Sequence, residues 1–283
     1  MLIKRKDNIF GDNIAYLESY DFSRANISNE SRLDVITLIA SICYQSPKAH
    51  GSESLYNRLM AESGGLPSSS FEFVPMLFDY NKIKKIYGVD FETSNVLKYG
   101  EKIDNSLLTN FRAVVYDFEN LGIDLRNHFN TEEECAIIAK HFKVFKMKVD
   151  MPTFGQAVRH RVNWQVLSRR YVSGTRVPFV FYIAEQMKKV KSGLFESIVY
   201  DGQIDPISTQ DVINLCINHY KAALKAGIKP QVARGIIPQC AYTVAWCAMQ
   251  PKQFNSFINL RSDSHAQWEI TQLSNAMKEI TNG

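Results

Sequence analysis

Residues 159–171 read RHRVNWQVLSRRY, and the conformation of this run decides what the rest of the chain is arranged around. Four arginines, a histidine and a serine are separated by mostly apolar side chains, and no acid falls among them. Taken as a helix, the run places Arg159, Asn163, Val166 and Arg170 on one stripe and His160, Trp164, Ser168 and Tyr171 on the next. Cations stacked in this way repel one another, so an anion is expected on the stripe. The planar fork of arginine suits a phosphate or a carboxylate. A solvated basic face, or ion pairs to other parts of the fold, is the reading that competes with it.

Upstream, KVFKMKVDMPTF at 143–154 alternates as a strand with one wet face, and Pro152 is expected to end it. Further back, apolar spacing predicts a helix over 30–44, capped by Ser28 or Asn29, and a second over 53–62. A Gly/Pro/Ser breaker follows at 63–70, and 71–78 reads as a strand. The text from 79 to 135 is polar and broken, with helices expected at 106–122 and 131–142, the latter opened by Thr131 and three glutamates. The domain reading is a single domain over 1–283 with an inserted helical subdomain at 76–142. Downstream of the arginine run, a loop at 173–178 leads to a helix near 179–190 and an amphipathic helix within 206–228, stopped by Gly227. Pro230 is placed to open the next helix, and 254–260 and 264–280 read as the last two. The class is α+β, helix-rich, with few strands.

The chain has 283 residues, 45% of them hydrophobic and 22% charged, with a formal net charge of +4. That balance suits an anionic small molecule at least as well as a polyanion. Five cysteines, none in a CxxC pair, argue against a disulfide framework or a zinc knuckle; reduced thiols in a cytoplasmic protein are expected, with no metal. No apolar run is long enough for a membrane span, and no secretory leader is read at the N-terminus. Walker A, GxGxxG, HExxH and GxSxG motifs are absent. Cys240 is a weak candidate nucleophile, because apolar neighbours raise a thiol's pKa.

Two further clusters carry chemistry. In NLRSDSHAQWEI at 259–270, a helix capped by Ser262, Asp263 or Ser264 would set Arg261, His265 and Glu269 one turn apart. In KPQVARGIIPQCAY at 229–242, Arg234 is a lone charge among apolar residues and needs a partner. For each, a structural salt bridge or a structural histidine is the plainer alternative.

The three clusters together, in this order, resemble the flavin-dependent thymidylate synthases. That family carries an RHR signature followed by a serine and an Arg-Tyr pair, matched here by Arg159-His160-Arg161, Ser168 and Arg170-Tyr171. FINLRSDSHAQWEI at 257–270, and Ala233-Arg234, Pro238 and Tyr242-Thr243 before it, are similar to the family's C-terminal segments. The resemblance covers roughly 143–280, with a looser match over 30–73. It implies a thymidylate synthase-complementing-protein-like fold, a small antiparallel sheet flanked by long helices. It also implies conversion of dUMP to dTMP, with methylenetetrahydrofolate as carbon donor, FAD as hydride carrier and NADPH as reductant, in a homotetramer with shared active sites. By resemblance Arg159, His160, Arg161, Gln250, Lys252, Ser256 and His265 bind FAD. Gln156, Ser168, Arg169, Arg170, Arg234 and Arg261 bind dUMP, and Arg261 is catalytic at the uracil ring.

The match has departures. Six residues, where the family has seven, separate Arg161 from Ser168. Val166 stands where the family tends to have a Glu or Gln that bonds the nucleotide, with Gln165 as the expected substitute. Ser256 and Phe73 replace residues of other types. Two rival readings are a pyrimidine-nucleotide hydroxymethylase on the same scaffold and a nucleic-acid-binding module that stacks bases on Trp164 and Tyr171.

Overall fold

The computed structural model describes residues 1–46, 49–61, 67–184, 187, 194–200 and 203–282. Its centre is an antiparallel sheet in the order β1 (Leu2–Asp7), β2 (Tyr16–Tyr20), β6 (Lys143–Asp150), β10 (Tyr242–Met249), β7 (Asn163–Val166). A second sheet runs β3 (Pro75–Asp79), β5 (Ser106–Asn110), β4 (Glu101–Ile103), and β8 (Leu194–Tyr200) pairs with β9 (Gln203–Ser208). The observed class is the expected one, α+β with antiparallel sheets flanked by helices.

Strand periodicity assigns the two faces of the large sheet. Phe145, Met147 and Val149 of β6 point to one side with Leu17, Ala245, Cys247 and Met249. Two helices, α10 (Pro251–Arg261) and α11 (Trp268–Asn282), cover that side with Phe257, Ile270, Leu273 and Met277. Val144, Trp246 and Ala248 point to the other side, onto Val35, Ile36 and Ile39 of α1 (Asn29–Tyr44). The wet face expected of β6 is its lysine face: Lys146 lies 3.4 Å from Glu18, which also pairs with Arg5 at 2.6 Å and takes the Tyr20 hydroxyl at 2.8 Å.

Local signals place several helices as expected. Ser28 caps α1, accepting the Ser31 N–H, and Thr131 forms a capping box with Glu134 at the start of α6 (Glu132–His141). Other helices are α2 (Glu53–Met60), α3 (Tyr80–Tyr87), α4 (Asn95–Lys98), α5 (Phe111–Leu121), α7 (Met151–Ala157), α8 (Thr209–Lys225) and α9 (Pro230–Ala233). The helix expected over 106–122 is corrected: 106–110 is strand β5, and Asn110 caps α5 by accepting the Ala113 N–H at 3.0 Å. Leu107 and Leu108 are both fully buried, so the strand shows the continuous apolar text of a helix. Residues 71–73 lie in a 3₁₀ turn, and the strand expected there starts at Pro75. The 76–142 segment thus holds a three-stranded sheet as well as helices. It shares a core with α1, Val144 and Trp246 through Ile83, Phe91, Val96, Val114 and Ile138. The helix expected near 179–190 is also corrected where it can be read. Residues 179–184 are not helical, with Phe181 bridged to Ala241, whereas Met187 is helical, and the rest lies outside the described residues.

Arg32 joins α1 to the segment that follows α5. It is 1% exposed, and its guanidinium donates to the Asn26 Oδ1, the Arg126 carbonyl and the His128 carbonyl, each at 2.5 Å. The Phe111 and Phe129 rings lie 4.2 and 4.4 Å from it. Burial pushes its pKa down to about 10, so it is still charged at neutral pH. Removing the donors strands buried carbonyls. Arg32→Met is therefore expected to lower the free energy of unfolding by about 3 kcal/mol in a urea titration. A loss under about 1 kcal/mol would show that this contact is not what fixes the segment.

Candidate active site

The chain leaves β6 at Asp150 and turns into α7, and Pro152 sits in that helix's first turn, where its missing N–H costs nothing. It then runs through a turn into β7, which pairs with the open side of β10 as Ala245↔Val166 and Cys247↔Trp164. The helix read over 159–171 is thus corrected to turn, strand and turn, and its two stripes do not exist. The reason is tertiary: β10 offers a free row of backbone hydrogen bonds, which Asn163–Val166 take. Gln165 does not substitute at Val166. Alternation turns it to the opposite face, where its amide donates to the Ser69 hydroxyl at 2.7 Å and accepts from the Cys43 thiol at 3.0 Å.

At the end of α10, Arg261 turns back onto this segment. Its Nε donates to the His160 Nε2 at 2.9 Å and its Nη2 to the Gln156 carbonyl at 2.7 Å. A guanidinium only donates, so the contacted histidine nitrogen is an acceptor and the ring is neutral. Burial first, and then the Arg261 charge, push the His160 pKa below the ordinary histidine value. The ring lies 4.6 Å from that of Phe257. His160, Arg161, Lys252 and Ser256 share a small cavity of about 240 Å³.

A cavity of about 700 Å³ gathers Val166, Ser168 and Arg169 with Arg234, Tyr242 and Thr243. Arg169 lies 4.1 Å over the Phe179 ring and donates to the Val177 carbonyl at 2.6 Å, and burial lowers its pKa. Arg234 is exposed at the cavity mouth, in the 3₁₀ turn after α9. A larger cleft of about 930 Å³ holds Arg161, Gln250 and Lys252 against residues of the 76–142 segment. Gln250 is 7% exposed, and its amide donates to the carbonyls of Tyr99 at 2.9 Å and Leu108 at 3.2 Å, which leaves it no hydrogen for a ligand.

Gln156, Arg159, Arg170, Arg261 and His265 line none of these three cavities. The Gln156 amide donates to Gln267 Oε1 at 2.6 Å, and Arg159 and Arg170 are exposed. His265 lies in the turn between α10 and α11 rather than on a helix, so it does not stack between Arg261 and Glu269. Its side chain is 93% exposed and meets Asp263 at 2.8 Å. Burial raises the pKa of the Cys240 thiol, in the direction its sequence neighbours imply. Sequence reading missed Lys98, Tyr99, Glu101, Arg112 and Tyr116 on the large cleft. They lie in text with no motif and enter the site only through tertiary packing.

A family model described as thymidylate synthase complementing protein matches residues 131–283. The chain belongs to that family. The matched span holds β6, α7, β7, β10, α10 and α11, the elements that carry the Arg261–His160 contact and the 700 Å³ cavity. Among curated relatives, the flavin-dependent thymidylate synthase of Thermotoga neapolitana is 34% identical over 140 residues, 48% of this chain and 61% of that protein. The one from Thermosipho africanus is 32% identical over 148 residues, 48% of this chain and 64% of that protein. The chain therefore spans 61–64% of the length of these two relatives. A solved structure of a UMP/dUMP methylase, PolB from Streptomyces cacaoi bound with 5-Br UMP, aligns with 21% identity and a TM-score of 0.37, covering 49% of this chain and 66% of that one.

In this member of the thymidylate synthase complementing protein family, the His160–Arg261 contact has a direct readout. By NMR titration His160 is expected to have a pKa below that of an ordinary histidine. In Arg261→Gln it should rise part of the way back, because the charge is gone while burial stays. An unchanged titration in the variant would show that the charge does not act on the ring.

Proposed function

We propose that the protein is a flavin-dependent thymidylate synthase, methylating dUMP to dTMP with methylenetetrahydrofolate as carbon donor and NADPH as reductant. The observation that carries this reading is the convergence of the neighbours Ser168 and Arg169 with Arg234, distant from them in sequence, on one cavity of about 700 Å³. Two arginines and a hydroxyl form a donor set for a nucleotide phosphate, while Val166 and Tyr242 supply apolar surface for the base and sugar. Arg170 and Gln156 are assigned to the same nucleotide by the family resemblance, from outside the cavity of their own chain.

Arg261 spends Nε and Nη2 on His160 and the Gln156 carbonyl, which fixes the plane of its guanidinium. In this reading its remaining N–H groups, which lie outside the cavity of their own chain, meet a pyrimidine carbonyl and stabilise negative charge that develops on the ring. FAD, when bound, supplies the hydride chemistry. Arg159, His160, Arg161, Lys252, Ser256 and His265 are the residues proposed to hold it, with Gln250 acting through the backbone it braces. The donor set fits a phosphate-bearing cofactor, because Arg161 and Lys252 present exposed cations on two of the cavities. The reading includes a homotetramer, in which Arg159, Arg170 and His265, exposed on the single chain, would face sites shared with neighbouring copies. The organisation proposed is one domain over 1–283 with 76–142 inserted. A nucleotide hydroxymethylase is the second reading, favoured by the small Ser256 on the cavity of His160 and Arg161, where the family has a larger polar residue beside the flavin.

Mass analysis of the nucleotide product after incubation with dUMP, FAD, NADPH and methylenetetrahydrofolate tests the reading. A methylated product is expected, and a hydroxymethylated one would select the second reading. Arg234→Ala and Arg170→Ala are each expected to weaken dUMP binding by about 1.5–3 kcal/mol, the range for hydrogen bonds to a charged group. Unchanged affinity in both would remove the phosphate assignment.

A further inference from the structure

The 930 Å³ cleft is closed on one side by a segment to which nothing above gives a task. Residues 95–120 of the 76–142 insertion put Lys98, Tyr99, Arg112 and Tyr116 on the same cleft as Arg161 and Lys252. Two acids also line the cleft, and both are committed. Glu72 pairs with Arg112 at 2.5 Å, and the Glu101 carboxylate accepts the Lys252 backbone N–H at 3.0 and 3.2 Å. The exposed ammonium and guanidinium groups of Lys98, Lys252 and Arg161 therefore leave the cleft net positive. Two phenol rings face the same space, and that of Tyr99 is 47% exposed. Cations set beside aromatic faces suit a ligand that carries phosphates and a planar base, and the cleft is of the size that holds one.

The wall is also held in place. Gln250 is pinned to the Tyr99 and Leu108 carbonyls, and Glu101 to the start of α10, so the insertion and α10 are tied at three points beside the cleft. We infer that the 95–120 segment is a ligand-binding wall, and that with Arg161 and Lys252 it takes an adenosine diphosphate moiety. The inference rests on the flavin reading only for the source of that moiety, which FAD and NADPH both contain.

The test uses the full chain and titrates ADP, FAD and NADPH into the native protein, Lys98→Gln, Tyr99→Ser and, as a control, Lys85→Gln on the exposed side of α3. Lys98 and Tyr99 side chains are exposed, so neither substitution empties the core. Native protein and control are expected to bind ADP alike, with each cleft variant about tenfold weaker. A parallel loss for FAD alone names the flavin as the source, and one for NADPH alone names the reductant. ADP binding equal in all four proteins, or absent from the native protein, overturns the inference. Should the cleft variants lose ADP while the native protein takes up no FAD, the wall stands and the flavin reading falls. Should all four bind FAD equally and also bind ADP and NADPH equally, the wall falls and the flavin reading stands.

Discussion

The candidate site is positioned by the pairing of β6 with β10, an eight-residue antiparallel ladder from Tyr242↔Asp150 to Met249↔Lys143. Because the strands are antiparallel, the exit from β6 lies beside the entry to β10. That places α7 and the Arg234 turn at one end of the sheet. From the other end α10 runs back across the Phe145–Met147 face, and Arg261 at its last turn reaches Gln156 and His160. A one-residue slip would turn the faces of β10 over and move every group that follows it.

Two of the site's cations are held by neutral acceptors. Among the described residues, Arg169 donates to carbonyls and rests on a ring, while Arg261 donates to an imidazole and a carbonyl. Neutral acceptors fix the direction of a guanidinium without cancelling its charge. Burial lowers the pKa of both, so each favours an anionic ligand while remaining protonated. Arg112 is the counter-example: Glu72 neutralises it, and it serves the wall of the large cleft as structure.

The insertion shows how a segment without a motif acquires a place in a site. Its hydrophobic residues join the core beneath α1 and Trp246, and its hairpin then lies against the first turn of α10. Glu101 accepts a helix N-terminal N–H there, a favourable place for a carboxylate. The side chains that face the cleft follow from this docking and not from local sequence.

Sequence alone determined the helices whose ends carry their own partners: α1 with Ser28, α6 with the Thr131 capping box, and α8 from its Ser208 start to its stop before Gly227. It also determined the residue types of the family signature, because those are read without coordinates. It did not reveal β10, whose YTVAWCAM is apolar on both faces and so lacks the alternation of a half-buried strand. Nor did it reveal β7, which is a strand because β10 leaves an edge for it. Tertiary structure alone decided that Gln165 and Val166 face opposite ways, that Gln250 is spent on the insertion, and that His265 sits in a turn. The physical reason is common to these cases. Caps and helical periodicity act within a few residues of one another, whereas strand pairing and the direction of a buried polar side chain are set by partners far along the chain.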